Sequence, residues 1–284
     1  MTFPPTSALP ILMASKGWNW RNAEHAGIPS RPDFWIGEDG AGNRWLVKMK
    51  GGFCAWRDRA FSVIAQAIGI SCQSATFLLL EPGSPPLEGL GRPIRGGGRH
   101  VNLEQSAIWL LPEHVKGRCS EGCPLPLLNQ CMRGADPVEA LSQAPVGYAV
   151  DIVRGEILGY LCNQFEPADK LYTPDHFFVQ IDNERMFVKE PANLLACPWL
   201  QRRHEWSLEG LNEARMVCAS VTKLPDEIIF DAASRPQNYK IIRPWDVGKL
   251  VRGLRARASQ YLSRVDRLIE QCAAGNAPPT SLFR

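Results

Sequence analysis

No stretch of this sequence reaches the roughly 18 consecutive apolar residues that a bilayer-spanning helix needs, so no membrane association is expected. Met1 to Trp20 carries no basic run ahead of its short apolar stretch, and it does not read as an export signal. Neither sign of charge is in large excess. Lys and Arg total 32 against 29 Asp and Glu, a formal net charge of +3, too mild to imply nucleic acid by itself. The glycine run Gly96-Gly97-Gly98 continues as Arg99-His100-Val101 and lacks the Gly-Lys-Ser/Thr ending of a phosphate-cradling P-loop, so a linker is the better reading. The tight C-x2-C pair of a structural zinc site is also missing. Cys119, Cys123, Cys131 and His114 are too loosely spaced and have no second pair. No internal repeat is present.

What remains is an ordinary globular composition, 45% hydrophobic and 21% charged over 284 residues, enough for one large domain or two lobes. Disorder needs fewer apolar residues and more net charge. The nine cysteines, an odd number scattered from Cys54 to Cys272, fit free thiols in a reducing compartment, and a cytoplasmic location is expected.

Local patterns divide the chain. PDFWIG and NRWLVKMK flank the turn signal Glu38 to Gly42 and predict a hairpin. Phe61, Ile64, Ala65 and Ile68 fall at helical spacing and predict a helix from about Trp56 to Ile68, stopped by Gly69. SATFLLLE and QSAIWLLPEH read as strands. Residues 81–100 are too rich in Gly and Pro for a regular element, and 112–147 show little periodicity. An amphipathic helix is expected from Pro145 to about Phe165, then a polar loop from Glu166 to His176, then the buried strand FFVQI. The last ninety residues read as mainly helical, with a long helix from an Asp246 N-cap to about Cys272. The fold class is therefore α+β: a small β-rich half with one helix over residues 1–111, including the linker 81–100, and a mainly helical half over 112–284.

Four places carry residues suited to phosphoryl transfer, which needs a cation on the phosphates, an acid to orient it, a carboxylate to hold metal, and a base at the acceptor hydroxyl. Lys48 ends the strand segment Trp45-Leu46-Val47, and strand alternation puts it on the face of Leu46. A solvated surface lysine is the plain alternative. Asp58 lies on the following helix, where a first-turn acid helped by the helix dipole is the plain alternative. Asp182 ends the FFVQI strand, where a carboxylate can hold a divalent ion with phosphate oxygens, although Asp also favours turns. The loop from Asn163 through Glu166 to Asp169 joins the helix to that strand.

On GNRWLVKM, DRAFSVIAQAIGI and LCNQFEPADKLYTPDHFFVQIDNE, covering about residues 36–80 and 150–187, the chain resembles the HipA-like kinases, compact relatives of the phosphoinositide-kinase-like group. The separation of Asp58 and Gly69 by eleven positions is part of that likeness. The resemblance implies a two-lobed protein-kinase-like fold, ATP and Mg²⁺ as cofactors, and transfer of the γ-phosphate to Ser or Thr of a protein substrate. It also implies an antitoxin or other regulatory partner, as in toxin–antitoxin pairs. By the same resemblance Lys48 contacts the α- and β-phosphates, Asp58 orients it, and Leu46 lines the adenine site. Asp182 holds Mg²⁺ with Asp169, Glu166 or Asp169 accepts the acceptor proton, and Asn163 adds a hydrogen bond. The chain departs from the pattern in lacking H-R-D or D-R-H, and in having Asn183 and Glu184 after Asp182. Two alternatives stay open: a nucleotide-binding pseudokinase or scaffold, and a nucleic-acid contact. The contact would use the basic face of the last helix, formed by Lys249, Arg252, Arg255, Arg257, Arg264 and Arg267.

Overall fold

The computed structural model describes residues 10–22, 34–49, 52–88, 106–110, 148–163, 169–172, 178–181, 186–187, 194–202, 205–234 and 244–275. Its main sheet has six strands: β1 (Leu12–Ala14), β2 (Asn19–Asn22), β3 (Phe34–Glu38), β4 (Arg44–Met49), β5 (Ala75–Leu79) and β6 (Ser106–Leu110). They lie in the order β1-β5-β6-β4-β3-β2, and every pair is antiparallel except β1 with β5.

The β3–β4 hairpin forms where expected because Asp39 organises its turn. Its carboxylate accepts from the backbone N–H groups of Ala41 and Asn43, from the Asn43 amide, and from the Trp45 indole, all at 2.9–3.0 Å. Burial pushes the Asp39 carboxyl up, but these donors together outweigh it and hold the group below its ordinary value.

Helix α1 (Gly52–Ala67) begins four residues before the expected Trp56, so Asp58 sits inside the helix rather than in its first turn. It stops at Gly69, whose φ of 74° lets Ile70 N–H reach Ala65 O at 2.8 Å and Gly69 N–H reach Gln66 O at 3.1 Å. That pair of bonds satisfies carbonyls the helix end leaves open. A four-residue helix, α2 (Pro85–Glu88), lies inside the segment whose glycines and prolines argued against any regular element. Proline tolerates a first helical turn, which explains the exception.

Helix α3 (Tyr148–Leu161) fills the expected amphipathic stretch. The polar loop after it is interrupted by a strand, β7 (Asp169–Tyr172), which pairs antiparallel with β8 (Phe178–Ile181). The sequence reading missed β7 because Asp169 and Lys170 dilute its apolar signal. Two 3₁₀ turns (Leu194–Ala196 and Pro198–Leu200) and the short pair β9 (Gln201–Arg202) and β10 (Glu205–Trp206) precede three helices: α4 (Leu208–Thr222), α5 (Asp226–Ala233) and α6 (Pro244–Ala273). Helix α6 starts at Pro244, not at an Asp246 cap, so Asp246 is internal. Pro at the first helical position loses no hydrogen bond, since that N–H has no intrahelical partner.

The protein is thus a mixed α/β fold with small sheets and many helices. One buried cluster runs from α1 and Phe77 through Ile157 and Leu161 of α3 to Leu211 of α4 and Leu254 of α6. A second, smaller one lies on the other side of the main sheet: Trp18, Trp45, Val47, Leu78 and Leu80. Trp18 stacks on Trp20 at 5.6 Å and on Trp45 at 6.1 Å, as the alternation of Trp18 and Trp20 in an extended segment suggests. No helix among the described residues is long and apolar enough to cross a membrane. The Cys119, Cys123, Cys131 and His114 positions lie outside the described residues.

Candidate functional site

Sheet register fixes where Lys48 stands. Lys48 pairs with Ala107, and Ala107 with Phe77, so the three occupy one level and one face of the sheet. Phe77 belongs to the cluster built on α1, whereas Leu78 belongs to the cluster on the opposite face. Position 48 is therefore on the α1 side. Leu46, two residues earlier on the same face, is buried at the level of Trp109 and Ala75.

Asp58 lies on the helix that packs over this sheet. Asp58, Ser62 and Ala65 form one stripe on α1. Ser62 Oγ accepts from Ala75 N–H at 3.2 Å, and Gln66 Nε2 donates to Ser74 Oγ at 2.6 Å, so the far end of α1 lies against the start of β5. Asp58 therefore continues the stripe of α1 that faces β5, and α1 packs over β5 and β6. It is completely buried, with both carboxylate oxygens shut off from solvent. A fully buried Asp is rare unless its charge has a purpose or a partner.

In the C-terminal half, Asp169 opens β7 directly across from Ile181 of β8. Strand β8 also reaches the N-terminal half: Gln73 N–H donates to Gln180 O at 3.1 Å, and Gln180 N–H to Ser71 O at 3.4 Å. Gly155 of α3 permits this approach, since a Cβ there would sit 2.5 Å from Gln180 Oε1.

Asn163, offered above as a catalytic group, closes the end of α3. Its φ is 59°, and it is 1% exposed. Asn is the non-glycine residue best suited to that left-handed position. Its backbone has a structural task whatever its side chain does. Glu166 and Asp182 lie outside the described residues, and for Lys48 and Asp169 the placement is that of the backbone. Among the described residues no group of three His, Cys, Asp or Glu is arranged to hold a metal ion.

Sequence reasoning missed three residues at this junction. Phe187 has φ 54°, is buried, and donates its N–H to Cys162 O at 2.6 Å. Its ring meets Trp56 of α1 at 5.4 Å between centroids. Cys162 is wholly buried, and burial pushes its thiol up to about 12, against a smaller opposite effect of the Arg257 cation. Nothing in the local sequence marks Phe187, because a left-handed phenylalanine is selected by tertiary contacts and not by propensity.

The arginines of α6 are largely engaged within the fold. Arg255 bonds Leu224 O and pairs with Asp226 at 2.8 Å, Arg264 lies over Tyr261 at 5.8 Å, and Arg267 returns to Ser263 O. Burial lowers the affinity of the Arg257 guanidinium for its proton, partly offset by Cys162 and Tyr261.

No protein-family model matches this sequence, and no curated protein matches it. Among solved structures, the chain is similar to the Helicobacter pylori proinflammatory kinase CtkA at 8% identity and a TM-score of 0.49, over 84% of this chain and 96% of that one. At that distance, the chemistry of the site rests on this chain's own residues.

Proposed function

We propose that this chain is a kinase-like protein with a two-lobed plan. In this reading it binds ATP with Mg²⁺ through residues of β4, α1 and the β7–β8 hairpin, and transfers the γ-phosphate to a Ser or Thr hydroxyl of a protein substrate. The observation that carries the reading is a fully buried Asp58 on α1, the helix that packs over the sheet face on which position 48 lies. A lysine needs such an acid to be held in one orientation toward phosphate oxygens.

In this reading Leu46 contributes apolar surface for the base, and Lys48 binds the α- and β-phosphates. Asp182 and Asp169 hold the metal with carboxylate oxygens, the donor type a hard cation prefers. The metal, when bound, supplies neutralising charge on the phosphates. Glu166 or Asp169 takes the proton of the acceptor hydroxyl, and an antitoxin-type or regulatory partner accompanies the protein.

A second reading is a nucleotide-binding scaffold without transfer, favoured by the absence of H-R-D or D-R-H and by Asn183 and Glu184 after Asp182. Nucleic-acid binding through α6 is less supported, since several of its arginines already have intramolecular partners.

The test is ATP binding by calorimetry, with and without Mg²⁺, on wild type, Lys48→Ala and Asp182→Ala. Magnesium-dependent binding lost in both variants is expected. Equal binding in all three, or none in any, refutes the site. Phosphate incorporation into a protein acceptor then separates the kinase from the scaffold. A steep loss of nucleic-acid binding with salt would instead favour the α6 alternative.

A further inference from the structure

The helix that carries Asp58 is gripped from its far side. The last carbonyls of α5 have no intrahelical partner. Ser234 N–H returns to Asp231 O at 3.0 Å, and two side chains of α1 add further bonds at this helix end. Arg59 donates through Nη1 to Asp231 O at 2.5 Å and through Nη2 to the Asp231 carboxylate at 2.6 Å, while Trp56 Nε1 donates to Ala232 O at 3.1 Å. Arg59 is 1% exposed, an uncommon place for a guanidinium unless its pairing is exact in geometry. The other end of α5 is tied to α6, where Arg255 bonds both Asp226 and Leu224 O. Trp56 also bears the Phe187 ring on its face, so α1 is held between α5 and the segment that follows β8.

Trp56 and Arg59 bracket Asp58 within a single turn. A helix moves as a rigid piece over that distance. Any slide or rotation of α1 that breaks the Arg59–Asp231 bonds also shifts Asp58.

We propose that α5 is a positioning clamp for α1: the Arg59–Asp231 pair and the Trp56–Ala232 bond set the axial position of Asp58 and hence the nucleotide affinity of the site. Arg59, Trp56 and Asp231 are positioning residues that act through Asp58. The proposal rests on the nucleotide-binding reading above, and the cation–carboxylate pair is its adjustable part. Asp231 is the more accessible partner, with a side chain 29% exposed. A change at Asp231 therefore loosens the grip without opening the core.

The experiment uses the full chain with Asp231→Ala, the conservative Asp231→Asn, and Leu268→Ala as a control for general destabilisation in the core of α6. Hydrogen exchange of α1 amides and Mg²⁺–ATP affinity are measured on each. Asp231→Ala is expected to speed α1 exchange by about tenfold beyond the control. It is also expected to weaken Mg²⁺–ATP binding by about tenfold. Asp231→Asn, which keeps an acceptor, stays near wild type, and Leu268→Ala keeps its affinity. Unchanged α1 exchange in Asp231→Ala overturns the clamp. Faster exchange with wild-type affinity overturns its positioning role. A wild type that binds no nucleotide overturns the underlying reading instead, while the exchange data still decide whether α5 grips α1.

Discussion

Phe187 donates its backbone N–H to the carbonyl of Cys162 at 2.6 Å, and both Phe187, at φ 54°, and Asn163, the residue after Cys162, at φ 59°, are left-handed. Two unfavourable backbone conformations are thus held against each other in a buried place. Strain of this kind persists only where surrounding contacts over-determine it.

The first expectation concerns that pair. Asn163→Ala places a residue poorly suited to positive φ and should cost about 1–2 kcal/mol more than Asn163→Gly in denaturant unfolding. Phe187→Ala removes a buried ring from Trp56 and should cost roughly 3–5 kcal/mol. Equal stability of Asn163→Ala and Asn163→Gly would show that the backbone conformation is not what the position requires.

Two glycines should behave very differently when each is changed to Ala. A Cβ at Gly210 would fall 1.6 Å from the carbonyl oxygen of Trp199, which is main chain and cannot swing away. Gly210→Ala should destabilise by more than about 3 kcal/mol or prevent folding. At Gly155 the obstacle is the tip of Gln180, 2.5 Å away, and a side chain can turn. Gly155→Ala should cost about 1 kcal/mol, read from the thermal midpoint.

Asp39 should make the β3–β4 hairpin acid-sensitive. Its folded value lies below the unfolded one because its hydrogen-bond donors outweigh burial. Its contribution is therefore present above the unfolded value near 3.8 and is lost as pH falls through the folded one. Asp39→Ala should cost about 1–2 kcal/mol at neutral pH. It should also change the fluorescence of Trp45, which loses an indole partner. In that variant the acid limb of the stability curve should be flatter.

Alkali should act through two buried thiols. Burial raises Cys162 and Cys218 from 9.0 to about 12 each. Both are neutral in the fold over a range where the unfolded chain ionises. Stability is full below the unfolded value near 9.0 and falls as pH rises toward the folded one. Each thiol contributes a slope of about 1.4 kcal/mol per pH unit in that window. Urea unfolding of Cys162→Ala, Cys218→Ala and the double variant between pH 8 and 11 (a range set by those values) should show a progressively shallower slope. An unchanged slope in the double variant would contradict this account.

The sequence made the local features readable where one residue controls geometry. Gly69 announces the end of α1, Asp39 and Gly42 announce the hairpin, and the apolar stripe of α3 announces a helix. Lys48 and Asp58 were legible as residue types, and alternation gave the face of Lys48. That Asp58 is fully buried on the stripe of α1 that faces β5 was not legible, because it depends on Ser62 meeting β5. Strand β7 was hidden by its polar start, and the α5 grip on α1 by a separation of more than 170 residues between its partners. Tertiary contacts of this length leave no periodic trace in the chain.

The position of β6 has a consequence in time. It lies between β4 and β5, although the chain makes both of those strands first. No backbone ladder between β4 and β5 can exist without Ser106–Leu110, because β6 is bonded to both. Synthesis must therefore pass β6 before the β1–β5 pair can be joined to the β4-β3-β2 strands.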